Sequence, residues 1–222
     1  MSKSDSAANL LLASASPRRL DLLQQIGVVF LVVPAHIDES HRVNERPSDY
    51  VRRMALEKAE TVRATSEHRC PVLGADTTVS IDNLILGKPT SIEHAREMLQ
   101  RLSGRWHEVL SGVAIIEDRA AVISVRTRVK FRQIAAGEIE SYWASGEPHD
   151  KAGAYAIQGI GGAFVERIDG SYSNVVGLPM VETTTLLDDF AIRRQFAAGV
   201  AITESKKTLS NGTRLAKREV GG

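Results

Sequence analysis

Two arginines stand where a helix least favours them. Arg18 and Arg19 follow Ser16 and Pro17 in the run Ala13-Ser14-Ala15-Ser16-Pro17-Arg18-Arg19. Ser16 reads as an N-cap and Pro17 suits the first helical position, so both cations fall in a helix's first turn. The helix dipole favours anions there by about 0.3–1 kcal/mol each. A phosphate held by the arginines, the free N–H groups of the helix start and the Ser14 and Ser16 hydroxyls would reconcile the placement. Arginines turned to water would reconcile it equally, and this stretch alone does not choose.

Two carboxylates are also oddly placed. Asp76 interrupts an apolar strand, and a buried carboxylate costs several kcal/mol unless it is paired or binds a metal. Glu39 lies in the acidic loop His36-Ile37-Asp38-Glu39-Ser40. The run from Pro71 to Pro89 reads as a hairpin about Asp82-Asn83, which would return Lys88 beside Asp76. A purely structural Asp–Lys pair is one reading. Function is preferred, because Thr77-Thr78 follow Asp76 and glycines, Gly74 and Gly87, hold the loop ends. Lys58 lies at the edge of a helical apolar stripe, where a snorkelling lysine is the slightly favoured reading over a functional one. Lys151 and Gln158 sit in a small-residue loop from Glu147 to Gly159 that Gly161 and Gly162 continue. Such backbone lets a ligand approach closely, although a plain glycine-rich turn explains it as well. Its spacing matches neither a Walker loop nor a dinucleotide fingerprint. Several donors with two carboxylates suit phosphoanhydride chemistry. Cations and N–H groups hold phosphate oxygens, and carboxylates hold a divalent metal or orient and deprotonate a water.

These residues need elements to position them. Leu10-Leu12 reads as a strand and Pro17 onward as a helix with Leu20, Leu22, Leu23 and Ile26 inward, closed by Gly27. Val28 to Pro34 reads as a strand. Ser48 caps a helix from about Asp49 to Thr65 with Val51, Met54, Ala55, Ala59 and Val62 on its apolar face. Thr90 and Glu93 form a capping-box pattern for a helix ended by Gly104. Val109 to Ile116 is a strand, and Ile123 to Arg132 another with a basic face of Arg126, Arg128, Lys130 and Arg132. That face reads as solvated rather than as a phosphate track, since no aromatics interleave. A short helix follows from Gly137 to Ser145. Phe164 to Ile168 and Ser171 to Val176 read as a second hairpin about Asp169-Gly170. Pro179 opens a last helix to about Phe196, and residues 197–222 read as a mobile polar, basic tail. The alternation of strands and helices followed by hairpins predicts a mixed α/β domain.

Bulk properties exclude several classes. The 222 residues carry a net charge of +1, so nothing global points to nucleic acid. One cysteine, Cys70, excludes an internal disulfide framework and suits a reducing compartment. Six scattered histidines do not form a zinc pattern. No apolar run spans a bilayer, and the three leucines before Ala13 are too few for a signal peptide, so a cytoplasmic protein is expected.

Five blocks together resemble the Maf family of nucleotide pyrophosphatases. They are Ala13 to Arg19, Gly74-Ala75-Asp76-Thr77, Gly87-Lys88-Pro89, Asp150 to Gly159, and Asn174-Val175-Val176-Gly177-Leu178-Pro179. The resemblance runs from about Asn9 to Phe196 and leaves the tail outside. It implies an elongated, mixed, twisted sheet flanked by helices, with a cleft between two lobes, as in inosine triphosphatase-like folds, often as a homodimer. It implies hydrolysis of a nucleoside triphosphate to monophosphate and pyrophosphate with a divalent cation (Mg²⁺, Mn²⁺ or Co²⁺). Asp76 then looks like the proton acceptor, Glu39 like the second essential acid, and both like metal ligands. Arg18, Lys58 and Lys88 look like phosphate or metal-site partners, with Ser14, Arg19 and Lys151 beside them. Arg18, Thr77 and Gln158 match positions that mark the branch acting on dTTP and UTP. The 7-methyl-GTP branch ranks second, and a non-catalytic nucleotide-binding regulator of septum formation is the reading from another class. His149 departs from the apolar residue expected in the family loop.

Overall fold

A computed structural model describes residues 8–194. The tail expected over 197–222, and the last residues of the expected final helix, lie outside the described residues. A seven-stranded mixed sheet forms the frame, in the order β2-β1-β3-β5-β6-β7, with β4 also on β3.

Strand β1 (Leu10–Leu12) is wholly buried, and helix α1 (Pro17–Gln25) leaves it through a short turn. Ser16 and Pro17 stand at the N-cap and N1 positions as expected, although the Ser16 hydroxyl makes no capping bond. Gly27 ends α1 at φ 74°, a conformation that favours glycine. Strand β2 (Phe30–Val32) returns parallel to β1. Helix α2 (Pro47–Thr65) starts earlier than the sequence pattern implies. Arg46 is its N-cap and Pro47 its first residue, so Ser48 sits inside the first turn. The fixed φ of Pro47 pre-organises that start and wins over the Ser48 cap.

Strand β3 (Val72–Ile81) turns at Asp82-Asn83, both at positive φ, into β4 (Leu84–Leu86). Two positive-φ residues in a two-residue loop match the twist of a tight hairpin. Helix α3 (Ile92–Leu102) is capped by Ser91, whose hydroxyl accepts from the His94 N–H, rather than by Thr90. Strands β5 (Trp106–Ile116) and β6 (Ala120–Phe131) run antiparallel along their whole length. The basic face of β6 is solvated: Arg126 pairs with Glu108 at 3.1 Å, and Arg128 pairs with Asp169 at 3.6 Å.

Helix α4 (Ala136–Ala144) precedes three short 3-10 turns, and β7 (Val165–Asp169) then pairs with β6. The second hairpin expected from sequence does not form. Residues Tyr172–Val176 are instead helix α5, capped by the Ser171 side chain, which accepts from the Asn174 N–H. The local cap and the burial of Asn174 override the β-branched pattern. Helix α6 (Met180–Asp189) follows Pro179 and ends before Phe190.

Side chains alternate along β3, and its two faces differ. Leu73, Ala75, Val79 and Ile81 face two apolar clusters, one holding α1 and α6, the other α3 and α4. Between the clusters lies a polar belt. Thr77 Oγ1 meets Ser111 Oγ at 2.8 Å, and Ser111 Oγ donates to the Asn174 carbonyl at 3.0 Å. Asn174 Nδ2 donates to Thr127 Oγ1 at 3.0 Å. The belt separates the lobes.

The opposite face carries Val72, Gly74 and Asp76 and is covered by α2. Gly74 is not a loop end, as the sequence reading has it, but a buried mid-strand position. A Cβ there would fall 2.1 Å from the Ala55 carbonyl oxygen, and one on Gly112 would fall 2.0 Å from that of Val51. These two glycines let α2 settle directly onto the sheet beside Asp76, which pairs with Gly112. Gly112→Ala is therefore expected to lift α2 and cost about 1–3 kcal/mol in urea denaturation. Gly137→Ala, on helix α4 with nothing within 4 Å, should leave stability equal or higher.

Candidate active site

The cleft occupies a gap in the sheet. Strand β1 pairs with β3 only at Val72 and Leu73, and β4 pairs with it only from Val79 to Ile81. Residues 74–78 lie between, on an edge that neither neighbour covers. Asp76 and Thr77 are at the middle of that gap, beyond the C-terminal end of β1, where open α/β sheets characteristically bind ligands. The cavity there measures about 940 Å³. Ser14, Arg18 and Arg19 enter its wall from the β1–α1 turn, and Glu39 from the loop after β2. Lys58 comes from α2, Lys88 from the segment after β4, and Lys151 and Gln158 from the small-residue loop. Every site residue expected from sequence thus reaches one cavity.

At its centre one ammonium joins the two acids. Lys58 Nζ lies 2.7 Å from Asp76 Oδ1 and 2.6 Å from Glu39 Oε1. Lys58 is 7% exposed, so the snorkelling reading is wrong. The close seating of α2 on Gly74 points its ammonium along the sheet face and not out to solvent. Lys88 is not the partner of Asp76. It is 63% exposed, with its Nζ 3.8 Å from Glu39 Oε2, because β4 stops at Leu86 before the register reaches Asp76. Burial pushes the Glu39 carboxyl up. The Lys58 hydrogen bond and charge, with Lys88 and Arg19 beyond, outweigh it and hold the group below the usual glutamate range.

The Glu39 loop is clamped to α2. Tyr50 OH donates to the Glu39 carbonyl at 2.9 Å. Arg53 grips Glu45 with two bonds of 2.6 and 2.7 Å and donates to the Ser40 carbonyl at 3.1 Å. That grip holds the Glu45 carboxyl down at about 2. Sequence reading missed Tyr50 and Arg53, which look like ordinary helix residues without the loop beside them.

The two arginines divide their work. Arg19 is 9% exposed and bonds only protein: Nε to the Gly177 carbonyl at 2.9 Å, Nη1 to Ser14 Oγ at 3.1 Å, Nη2 to Thr77 Oγ1 at 3.1 Å. Burial pushes its pKa down, the charges of Asp76 and Glu39 oppose that, and the Arg18 cation adds to it. No described carboxylate pairs with it directly. Arg19 therefore ties the helix start, the sheet and the α5 terminus together. Arg18 lines the cleft without a described hydrogen-bond partner, as a cation awaiting an anion would. Thr77, bonded to Arg19 and Ser111, is part of the polar belt as well as the wall.

Across the cleft, Lys151 pairs with Asp150, and Gln158 is exposed with no described partner. The glycines after Gln158 do not admit a ligand as expected. Gly159 and Gly161 make room for the side chains of Glu147 and Tyr142. Tyr155 OH meets His107 Nε2 at 2.9 Å behind the loop, a pair that no sequence pattern announces.

No group of three potential metal-ligating side chains exists among the described residues. Glu39 and Asp76 nonetheless suit a hard divalent cation. Both are oxygen donors brought to one point of the cleft by Lys58 Nζ, and magnesium is typically held by one or two carboxylates with phosphate oxygens completing the shell. No described residue hydrogen-bonds Asp76 Oδ2, which leaves that oxygen available.

A cation-walled cleft in the edge of a mixed sheet, centred on two acids, defines an α/β protein whose cleft gathers cations around a carboxylate pair. Residues 9–190 match the family described as Maf-like protein, and the chain belongs to that family. It is 50% identical over 187 residues to the dTTP/UTP pyrophosphatase of Hahella chejuensis, covering 83% of this chain and 93% of that protein. It is 51% identical over 180 residues to the dTTP/UTP pyrophosphatase of Methylococcus capsulatus, covering 80% of this chain and 89% of that one. A nucleoside-triphosphatase / dITP/XTP pyrophosphatase from Mycobacterium abscessus superposes with a TM-score of 0.40 at 19% identity, over 57% of this chain and 76% of that one. That likeness is too slight to carry an argument. No described helix is long and apolar enough to cross a membrane.

Burial depresses the His107 pKa to about 3. The unfolded chain takes up that proton near pH 6.5 and the native protein does not. The stability tied to this group is complete above pH 6.5 and is lost as pH falls toward 3. Denaturation at stepped pH should show a slope of about 1.4 kcal/mol per unit from this residue between pH 6 and 4, absent in His107→Gln.

Proposed function

We propose that this protein hydrolyses dTTP and UTP to the nucleoside monophosphate and pyrophosphate. The observation that carries the reading is the Asp76–Lys58–Glu39 triplet at the floor of a cation-walled cleft. The names of the relatives, identical at half of all aligned positions across most of their length, supply the substrate class.

In this reading the triphosphate lies along Arg18 and the N–H groups of the α1 start, with Lys88 and Lys151 on the far wall. Lys58 fixes Asp76 through Oδ1, leaving Oδ2 to take a proton from a water. The water oxygen bonds to the α-phosphorus as the α–β bridging bond breaks, and the proton passes to Asp76. Pyrophosphate departs with its charge held by the cationic wall. Glu39 and Asp76 are the residues to hold a divalent cation (Mg²⁺, Mn²⁺ or Co²⁺), which when bound supplies charge neutralisation at the phosphates. Gln158 and Thr77, both on the cleft wall, read the pyrimidine edge or position its sugar.

The proposal extends to one catalytic unit from residue 9 to 196, with residues 197–222 outside it. It includes a cytoplasmic setting, for which the lone Cys70 speaks, and a homodimer, for which the family resemblance alone speaks. The protein should release pyrophosphate from dTTP and UTP faster than from other nucleoside triphosphates when each is supplied with Mg²⁺ or Mn²⁺. Asp76→Asn should abolish release while nucleotide binding, followed calorimetrically, persists. Turnover retained in that variant removes Asp76 from the proton-accepting role. Binding without product in the wild type replaces the enzyme with a nucleotide-responsive regulator.

A further inference from the structure

The loop that carries Gln158 is folded round a carboxylate of the protein's own. Glu147 Oε2 accepts from the Ile160 N–H at 2.8 Å, and Oε1 accepts from the Gly161 N–H at 3.0 Å. Oε1 also accepts from Tyr142 OH at 2.8 Å, and that hydroxyl accepts in turn from the Ala156 N–H at 3.1 Å. Ala156 before Gln158, and Ile160 and Gly161 after it, are therefore fastened to one Glu147–Tyr142 unit. Successive backbone N–H groups make an anion-binding concavity, and here Glu147 fills it.

The packing leaves no slack. A Cβ on Gly159 would fall 2.1 Å from Glu147 Oε2, and one on Gly161 would fall 2.5 Å from Tyr142 OH. The chain can close over the two side chains only because glycine stands at both places. Tyr142 is 2% exposed and packs edge-on against Phe164 at 5.1 Å between ring centres. Burial pushes the Glu147 carboxyl up, but the two N–H groups, the Tyr142 hydroxyl and the Lys151 charge hold it below the usual range, so the anion persists at neutral pH. Glu147 is absent from the cleft wall, whereas Gln158 is on it with a free amide that both donates and accepts.

We infer that Glu147 and Tyr142 are positioning residues that set the discrimination between nucleobases by holding Gln158 against the cleft. The inference rests on the nucleoside triphosphate pyrophosphatase reading. The groups that carry the cleavage, Asp76, Glu39 and Lys58, stand on other elements, and the fastened stretch is Ala156 to Gly161, beyond Lys151, so loosening it acts on selectivity and KM rather than on the chemical step.

The test compares kcat and KM for UTP and CTP, whose rings differ in the donor and acceptor at one edge. Glu147→Gln and Tyr142→Phe should each shrink the UTP-over-CTP ratio of kcat/KM by about tenfold, mainly through KM for UTP, with kcat changed less than about threefold. In a Gln158→Ala background the same substitutions should have no further effect on the ratio. Tyr142→Phe keeps the ring and tests the same contact if Glu147→Gln fails to fold. A ratio unchanged in either folded variant, or effects that add to that of Gln158→Ala, overturns the inference. A wild type that releases no pyrophosphate overturns the functional reading instead.

Discussion

One buried ammonium holds the site together. Lys58 draws Asp76 from the sheet and Glu39 from a loop to within hydrogen-bond distance of the same nitrogen. Asp76 is buried and needs a partner for its charge, and the same ammonium offsets its repulsion with the half-exposed Glu39. The helix must press onto the sheet at Gly74 and Gly112 for Lys58 to reach them. The loop must be pinned by Tyr50 and Arg53 for Glu39 to stay. Packing, loop geometry and charge placement are thus consequences of a single electrostatic requirement.

The sheet supplies the second half of the arrangement. Its long antiparallel strands β3, β5 and β6 form a spine, and shorter strands attach to the free edge of β3 at both ends. The apolar clusters under those ends are separated by the Thr77–Ser111–Asn174–Thr127 belt, in which Ser111, Thr127 and Asn174 are fully buried. Polar groups at such a depth need partners, and the bonds of the Asn174 carbonyl and Nδ2 tie β5 and β6 to α5. Arg19 extends the belt to the α1 start through Gly177, Ser14 and Thr77.

Much of this was legible in the residues, for reasons that differ by element. The β1–α1 unit announced itself through Ser16-Pro17 and Gly27, whose conformational preferences are local. The hairpin at Asp82-Asn83 did so for the same reason. Tyr172–Val176 read as a strand because β-branched and aromatic residues dominate it. The Ser171 cap and the buried Asn174 are tertiary facts. The convergence of Arg18, Glu39 and Asp76 was readable because each violates a local rule, and such violations need a remote explanation. Lys58 violates none: a lysine beside an apolar stripe is ordinary, and only its distance to two acids shows otherwise. Glu147, Tyr142 and His107 were silent in the same way, since their partners lie on other segments.

The pocket is a stretch of missing sheet rather than a space between separately folded bodies. Its floor is therefore the main chain of one central strand, which no exchange of side chains can remove. Its walls come from a turn, two loops and a helix face, each attached to a different flank of the frame. Divergence among relatives then has an asymmetric path. New ligand preferences can arise by altering one rim at a time, while the floor that carries Asp76 stays as it is. A scaffold of this kind can change what it accepts without rebuilding how it reacts.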